Sequence, residues 1–327
     1  MDDDRQRAGA GAPAPATSGR AAPNPTGAPG PATASDPRAT FDWSAIGPID
    51  LHAHSRESDG TDAPGDVVRA AAAAGLGAVA LTDHDTVAGW VEATGVAHET
   101  GVALLPGVEF SSQIGPASVH VLGYLLDPES EAFMGERERI RAERIDRAER
   151  MVHAIGRDYP LTWQHVEQHS APGATIGRPH IADALVTLGI VPDRSAAFEG
   201  ILHWQGGYYQ PHQAPPPEAA IAIIREAGGV AVLAHPGARG RPVLRMGMLG
   251  DLVGAGLAGV EVWHRDNGEP DRRLLLAEAE RSGLLVTGSS DYHGSGKPNR
   301  LGEHTTDPAV VAEIVRRATG WPPVLPA

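Results

Sequence analysis

Short apolar runs alternate with amphipathic stretches along most of this chain, and that alternation is what most restricts its fold. Ile49-Asp50-Leu51-His52 reads as a strand, and Ala63 to Ala74 as a helix opened by Pro64 and closed near Gly75. Proline suits the first helical turn and glycine the position just past the last. Ala78-Val79-Ala80-Leu81-Thr82 reads as a buried strand, Asp83-His84-Asp85-Thr86 as a polar turn, and the chain through Glu99 as a helix. Val102 to Glu109 and Ser118 to Tyr124 are further strands. The rhythm returns late, with a helix over Pro217 to Ala227, a strand over Val230 to Ala234 and a helix near Leu249 to Ala255. A strand over Gly259 to Trp263, a helix over Pro270 to Ser282 and a strand over Leu284 to Gly288 complete it. Repeated βα units of this kind predict an α/β fold with a mostly parallel sheet.

Two regions stand outside the rhythm. Residues 1–40 are dominated by Ala, Pro, Gly, Ser and Thr, with almost no large apolar side chain to bury, and are expected to form a disordered tail. They lack the apolar core of a secretory signal, and no later stretch reaches the ~18 apolar residues of a membrane span, so a cytoplasmic protein is the default expectation. Over residues 128–217 the alternation gives way to helices. Glu136 to Ile155 offers Ile140, Ile145, Ala148, Met151, Val152 and Ile155 for burial, and shorter helices are expected over Trp163 to His169 and Pro179 to Leu188. The expected organisation is therefore a tail (1–40), a first half of the main fold (41–127), a helical insertion (128–217) and a second half (218–327). Arg141, Arg144 and Arg147 alternate with Glu138, Glu143 and Glu149, the pattern of a solvated ion-pair face.

Composition excludes several chemistries. No cysteine is present among the 327 residues, which rules out disulfides, thiolate zinc sites, iron–sulfur clusters and cysteine nucleophiles. The net charge of −14 argues against a broad footprint for duplex nucleic acid. It leaves room for a small anion drawn in by bound cations, whose charge can dominate a local field.

The polar residues that interrupt the apolar rhythm carry the functional signal. His52 and His54 stand two apart on a strand and so share a face, where one metal ion could be held between them. Alone, such a pair more often describes a strand end facing solvent. Here it is joined by Asp83-His84, Glu109, His235 and Asp291-Tyr292-His293, each at or just after a strand's C-terminal end, with His120 inside its strand. That rim carries the active site in α/β barrels. Oxygen and nitrogen ligands without sulfur suit Mn, Fe, Zn or Mg. Asp83 and Asp85 are expected to orient ligands rather than to bind metal themselves.

These motifs resemble the PHP family, named for its polymerase and histidinol-phosphatase members. The resemblance is carried by Asp-Leu-His-Ala-His-Ser at 50–55, Ser58-Asp59-Gly60, Leu-Thr-Asp-His-Asp at 81–85, Pro-Gly-Val-Glu at 106–109, His120 in Val-His-Val-Leu-Gly-Tyr, Ala-His-Pro at 234–236 and Ser-Asp-Tyr-His at 290–293. It spans about residues 48–303. Gly177-Arg178-Pro179-His180 resembles the stand-alone branch, whose characterised members include a 3′,5′-nucleotide bisphosphate phosphatase and a 5′–3′ exonuclease acting on short RNA.

The resemblance implies a distorted (β/α)7 TIM-like barrel and three divalent ions, with manganese the first candidate and Fe, Zn or Mg the others. It implies that His52, His54, Glu109 and Asp291 hold one ion, that Glu109 bridges to a second held by His120 and His235, and that Asp59, His84 and His293 hold the third. The implied activity is metal-dependent phosphate ester hydrolysis by a metal-bridging hydroxide, with Asp291 or His235 moving the protons. A phosphorylated nucleotide or a short single-stranded oligonucleotide is the expected partner. Competing readings are a histidinol-phosphatase-like monoesterase on a sugar or amino-alcohol phosphate, and a non-catalytic metal-binding regulatory module. The second of these would be favoured by lost ligands, and every ligand position is filled.

Arg178 is the candidate for gripping a second, non-reacting phosphate, because a guanidinium meets phosphate as a fork. The alternative is an arginine that pairs with a surface carboxylate or caps a helix. His180 beside it reads as an N-terminal helix residue. Where relatives carry Lys or Arg before the strand that closes the insertion, this chain has Leu202-His203-Trp204-Gln205-Gly206-Gly207-Tyr208-Tyr209. His203, or Arg239 and Arg241, are possible substitutes for that cation. Trp204 and Tyr208 either stack on a base or pack the insertion against the barrel.

Overall fold

A computed structural model describes residues 40–115, 117–170, 174–210, 213–238, 243–244 and 247–326. The tail expectation falls, except for Thr40, outside these residues. Seven strands follow one another around a single sheet in chain order: β1 (Ile49–Ala53), β2 (Ala78–Leu81), β3 (Ala103–Ile114), β4 (Ala117–Tyr124), β5 (Val230–Leu233), β6 (Gly259–Trp263) and β7 (Leu285–Gly288). All neighbouring pairs are parallel except β3 with β4 and β4 with β5, so β4 alone is reversed. The cause is local. Only residues 115 and 116 separate β3 from β4, far too few for a crossover helix, and Gly115 takes the left-handed backbone (φ 56°) that such a turn needs.

The strand β3 runs past its expected end at Glu109. Ala103 to Pro106 pair with β2 and Gly107 to Ile114 with β4. The antiparallel register sets Glu109 opposite Leu122 and Ser111 opposite His120. Alternation therefore turns Val108, Phe110, Val119 and Val121 toward the apolar layer under the helices, and Glu109, Ser111 and His120 toward the barrel interior. The barrel closes through one bridge rather than a ladder. Ala53 pairs with Tyr292, the His54 N–H donates to the Tyr292 carbonyl (2.8 Å), and the Tyr292 N–H donates to that of His52 (3.3 Å). That closure draws the first and last histidine motifs together.

Helices α1 (Pro64–Ala73) and α2 (Trp90–Thr100) cover the first strands. The segment between β4 and β5 holds α3 (Glu131–Ile155), α4 (Trp163–Glu167), α5 (Arg178–Thr187), α6 (Arg194–Glu199) and α7 (Pro217–Glu226). α3 begins before the expected Glu136 because Phe133 is buried, its ring 6.0 Å from that of Phe110 on β3. Helices α3 to α6 share an apolar cluster of their own, including Met151, Ile155, Val166, Ile181 and Leu185. The short α6 is not evident from periodicity; Asp193 caps it by accepting from the Ala196 N–H (2.8 Å). After α8 (Leu249–Ala255) and α9 (Glu269–Ser282), a further helix, α10 (Pro308–Arg317), buries Val311, Ile314 and Val315 beside Trp43.

Candidate metal centre

Glu109 lies at the centre of the polar rim. Its Oε1 is 2.5 Å from His120 Nδ1 and 2.9 Å from His235 Nε2. Its Oε2 is 3.3 Å from His52 Nε2, 3.1 Å from His54 Nε2 and 3.2 Å from His84 Nδ1. One buried carboxylate thus touches five imidazoles from four different strands or strand ends. Asp291 Oδ1 lies 3.4 Å from His52 Nε2 and 3.3 Å from His54 Nε2. Asp59 reaches His293 Nε2 with Oδ1 (3.0 Å) and His84 Nε2 with Oδ2 (3.7 Å). All nine residues singled out in the sequence as metal ligands are brought together.

Ligand atoms gather within 4.8 Å of one another in three groups: His52, His54, Glu109 and Asp291; His84, Glu109 and His120; and His54, Asp59, His84 and His293. His235 joins through Glu109. The atoms point at shared space more than at each other. Asp59 Oδ1, His84 Nδ1, Asp291 Oδ1 and His293 Nε2 are buried without a well-aligned hydrogen-bond partner among the described residues. His52 Nε2 faces His54 Nε2 at 3.0 Å, a contact in which at most one nitrogen can donate. His235 (φ 26°) and Asp291 (φ 55°) occupy the left-handed region, a strain that non-glycine residues rarely carry away from functional sites.

The charges are mutually tuned. Burial pushes the Glu109 carboxyl up, but His120, His84 and His52 around it carry it well below the usual carboxylate range. Asp291 behaves alike: burial opposes, while Lys297, His293 and His52 hold it well below. Burial lowers the His54 imidazole, yet Asp291, Glu109 and Asp59 raise it to about 9.

Buried carboxylates lie beside the ligand motifs. Asp83 accepts from the Ser55 N–H (2.7 Å) and from the Ser55 and Ser58 hydroxyls (2.7 and 2.6 Å), and Ser58 Oγ lies 3.3 Å from His54 Nδ1. Asp85 accepts from the Ser111 N–H and hydroxyl (2.7 and 2.6 Å). Others escape sequence reading. Glu261, within β6, lies with Oε1 3.1 Å from His52 Nδ1, while Oε2 accepts the His235 backbone N–H (2.8 Å) and Oε1 the Ser289 hydroxyl. Burial raises its carboxyl, but His52 and His264 bring it down to about 2. Its only sequence signal is a lone charge inside an otherwise apolar strand. Lys297 Nζ lies 2.6 Å from Asp291 Oδ2.

Above this floor opens a cavity of about 700 Å³ with Asp59, His84 and His293 at its base. Its wall carries Arg144, Arg147, Arg178, Arg194 and Lys297. The Arg178 guanidinium stands 5.3 Å from the Phe198 ring centroid and 5.8 Å from that of Tyr209, and Arg147 stands 5.2 Å from Tyr209. The solvated ion-pair face expected on α3 holds for Arg141, 3.8 Å from Glu138. It fails for Arg144, which turns inward to Asp85 (3.3 Å), and for Arg147, which donates to the Gln210 carbonyl (2.7 Å). His180 Nδ1 accepts the Gly177 N–H (3.1 Å) and caps α5. Trp204 is 66 % exposed and Tyr208 donates to Asp158 (2.6 Å), so neither lines the cavity, whereas Tyr209 does. His203 is also outside the lining, and Arg239 and Arg241 lie outside the described residues.

Residues 50–169 match the PHP domain. The chain is 36 % identical over 268 residues to the 3′,5′-nucleoside bisphosphate phosphatase of Chromobacterium violaceum, covering 79 % of this chain and 92 % of that protein. It is 31 % identical over 256 residues to a 5′-3′ exoribonuclease of Haemophilus influenzae, covering 75 % and 89 % respectively. A crystal structure from Bifidobacterium adolescentis, described as a metal-dependent phosphoesterase, superposes with a TM-score of 0.81 at 44 % identity over 84 % of this chain and 97 % of that one. A second, an amidohydrolase from Chromobacterium violaceum with bound sulfate, gives 0.76 at 32 % identity over 83 % and 97 %. A nearly closed seven-stranded barrel, a rim of histidines and carboxylates and these relatives agree: the chain belongs to the PHP family of metal-dependent phosphoesterases.

Proposed function

We propose that this enzyme hydrolyses a phosphate ester of a nucleotide bearing a second phosphate, either a nucleoside 3′,5′-bisphosphate or the 5′ end of a short oligonucleotide. The observation that carries the reading is the cavity: in a chain of net charge −14, five cationic side chains line a space of about 700 Å³ directly above the histidine–carboxylate floor. Some of these cations are already paired, Arg144 with Asp85, Arg194 with Asp183 and Lys297 with Asp291, and an anionic substrate suits the positive charge that they and Arg178 bring to the wall. The names of the bisphosphate phosphatase and exoribonuclease relatives support the same class.

The floor fits divalent cations. Facing imidazole nitrogens 3.0 Å apart and buried, unaligned carboxylate oxygens are donors that a cation would satisfy together. We assign His52, His54, Glu109 and Asp291 to one ion, Glu109, His120 and His235 to a second, and Asp59, His84 and His293 to a third, with manganese the first choice. Ions held there would acidify a water and neutralise charge on the reacting phosphate. The chain's own residues do the rest. Arg178 holds the non-reacting phosphate, its plane set by Phe198 and Tyr209. Lys297, drawn to Asp291, keeps a positive charge at the edge of the floor. Asp291 or His235 moves protons to and from the reacting oxygens. In this reading residues 41–127 and 218–327 build the barrel, and residues 128–217 supply the substrate-reading wall. Among the described residues no helix is long and apolar enough to cross a membrane, and the cytoplasm is the proposed location.

The test is phosphate release with Mn2+ from adenosine 3′,5′-bisphosphate, a 5′-phosphorylated RNA tetramer and histidinol phosphate. The reading predicts turnover of the first or second in preference to the third. Preference for histidinol phosphate would favour the monoesterase alternative, and inactivity on all three with metal bound would favour a regulatory module.

A further inference from the structure

Among the contacts between the insertion and the metal floor is a side chain whose donors are already committed. Arg194, the first residue of α6, is gripped by Asp183 of α5, with Nε–Oδ1 and Nη2–Oδ2 both at 2.5 Å. This is the forked, charge-assisted pairing that fixes a guanidinium plane. The remaining arm, Nη1, donates to the backbone carbonyl of Asp59 at 3.2 Å. The same arm abuts Gly296, where an added Cβ would lie 2.1 Å away. Asp59 and Gly296 belong to the two loops that carry Asp59 and His293, whose Oδ1 and Nε2 are 3.0 Å apart. Asp183 and Arg194 are both mostly buried, at 22 % and 17 % side-chain exposure. A second tie runs beside the first: the Thr175 N–H donates to the Glu57 carbonyl (3.2 Å).

We infer that Arg194, clamped by Asp183, is a positioning residue through which the insertion sets the spacing of Asp59 and His293 and so controls the third metal position selectively. The inference rests on the assignment of Asp59, His84 and His293 to one ion. Although Arg194 lines the cavity, its three nitrogens are spent on Asp183 and Asp59. The centre around Glu109 is built from β1, β3, β4 and the ends of β2, β5 and β7, and among the described residues no hydrogen bond of this clamp reaches Glu109, His120 or His235. Loss of the clamp should therefore loosen one position and spare the others. Groups that orient metal ligands typically change affinity by about 10–100-fold when removed.

The test strips the full chain with chelator and titrates manganese back, counting bound equivalents by equilibrium dialysis for wild type, Arg194→Gln and Asp183→Asn, with circular dichroism to confirm folding. The expected result is three equivalents in wild type, and in both variants two unchanged equivalents with the third weakened about 10–100-fold. Asp183→Asn keeps the arginine but loses the fork, so it carries the test if Arg194→Gln does not fold. A folded variant with all three affinities unchanged, or with only KM altered, overturns the inference and leaves the metal assignment standing. A wild type that binds no manganese overturns the assignment itself, and the inference with it.

Discussion

Glu261 shows how much of the site rests on single buried atoms. It makes no contact with the cavity, yet its two oxygens reach the His52 ring and the His235 backbone, fixing a candidate ligand and the strained turn that presents another. Glu261→Gln keeps the shape and removes the charge that holds the His52 tautomer. It is predicted to lower metal affinity about 10–100-fold, measured by manganese titration, with the fold intact. Protons report on the same atoms. With the His54 imidazole raised to about 9 and His52 raised as well, the ion-free chain holds protons in this pair at neutral pH, with at most one of them on the two facing Nε2 atoms. Metal uptake must displace them, so affinity is predicted to fall as pH is lowered, and calorimetry in buffers of different ionisation enthalpy should register net proton release. Arg178→Ala should raise KM for a nucleoside 3′,5′-bisphosphate several-fold or more while sparing a simple aryl phosphate, because only the former offers a second phosphate. Equal loss on both substrates would make Arg178 structural or a contact of the reacting phosphate.

Individual elements differ in how far sequence exposes them. The histidine motifs and most strands are legible because a buried parallel strand is a run of apolar residues ending in whatever the rim needs. The far half of β3 is not. Ser111, Ser112 and Gln113 lie past the strand end expected at Glu109, and only pairing with β4 reveals that Glu109 and Ser111 alternate with Phe110 toward the barrel interior. Nor is Glu261 legible, since its role depends on a residue 209 positions away. Short α6 and the start of α3 are hidden for a related reason: a cap and a distant apolar partner decide them rather than periodicity. Phe133, fully buried beside Phe110, is the anchor of the first turn of α3. Phe133→Ala is therefore predicted to cost about 3–5 kcal/mol, visible as a lower denaturant midpoint. An unchanged midpoint would mean that this turn docks by other contacts.

Across the whole molecule, charge is sorted rather than averaged. Acidic residues exceed basic ones, 41 to 27, but Arg144, Arg147, Arg178, Arg194 and Lys297 converge on one cavity above a floor of carboxylates and imidazoles. The arginines of α3 look solvated in sequence because a helix shows its ion-pair spacing and not which face the insertion covers. The central claim is that this floor performs phosphate ester hydrolysis only when loaded with divalent ions. It is tested most directly by stripping the chain with chelator and following phosphate release from adenosine 3′,5′-bisphosphate as manganese is titrated back. Release should be absent in the stripped chain and should rise to saturation over about three equivalents per chain, one for each assigned ligand group. Undiminished release without metal, or none at any manganese concentration, would contradict it.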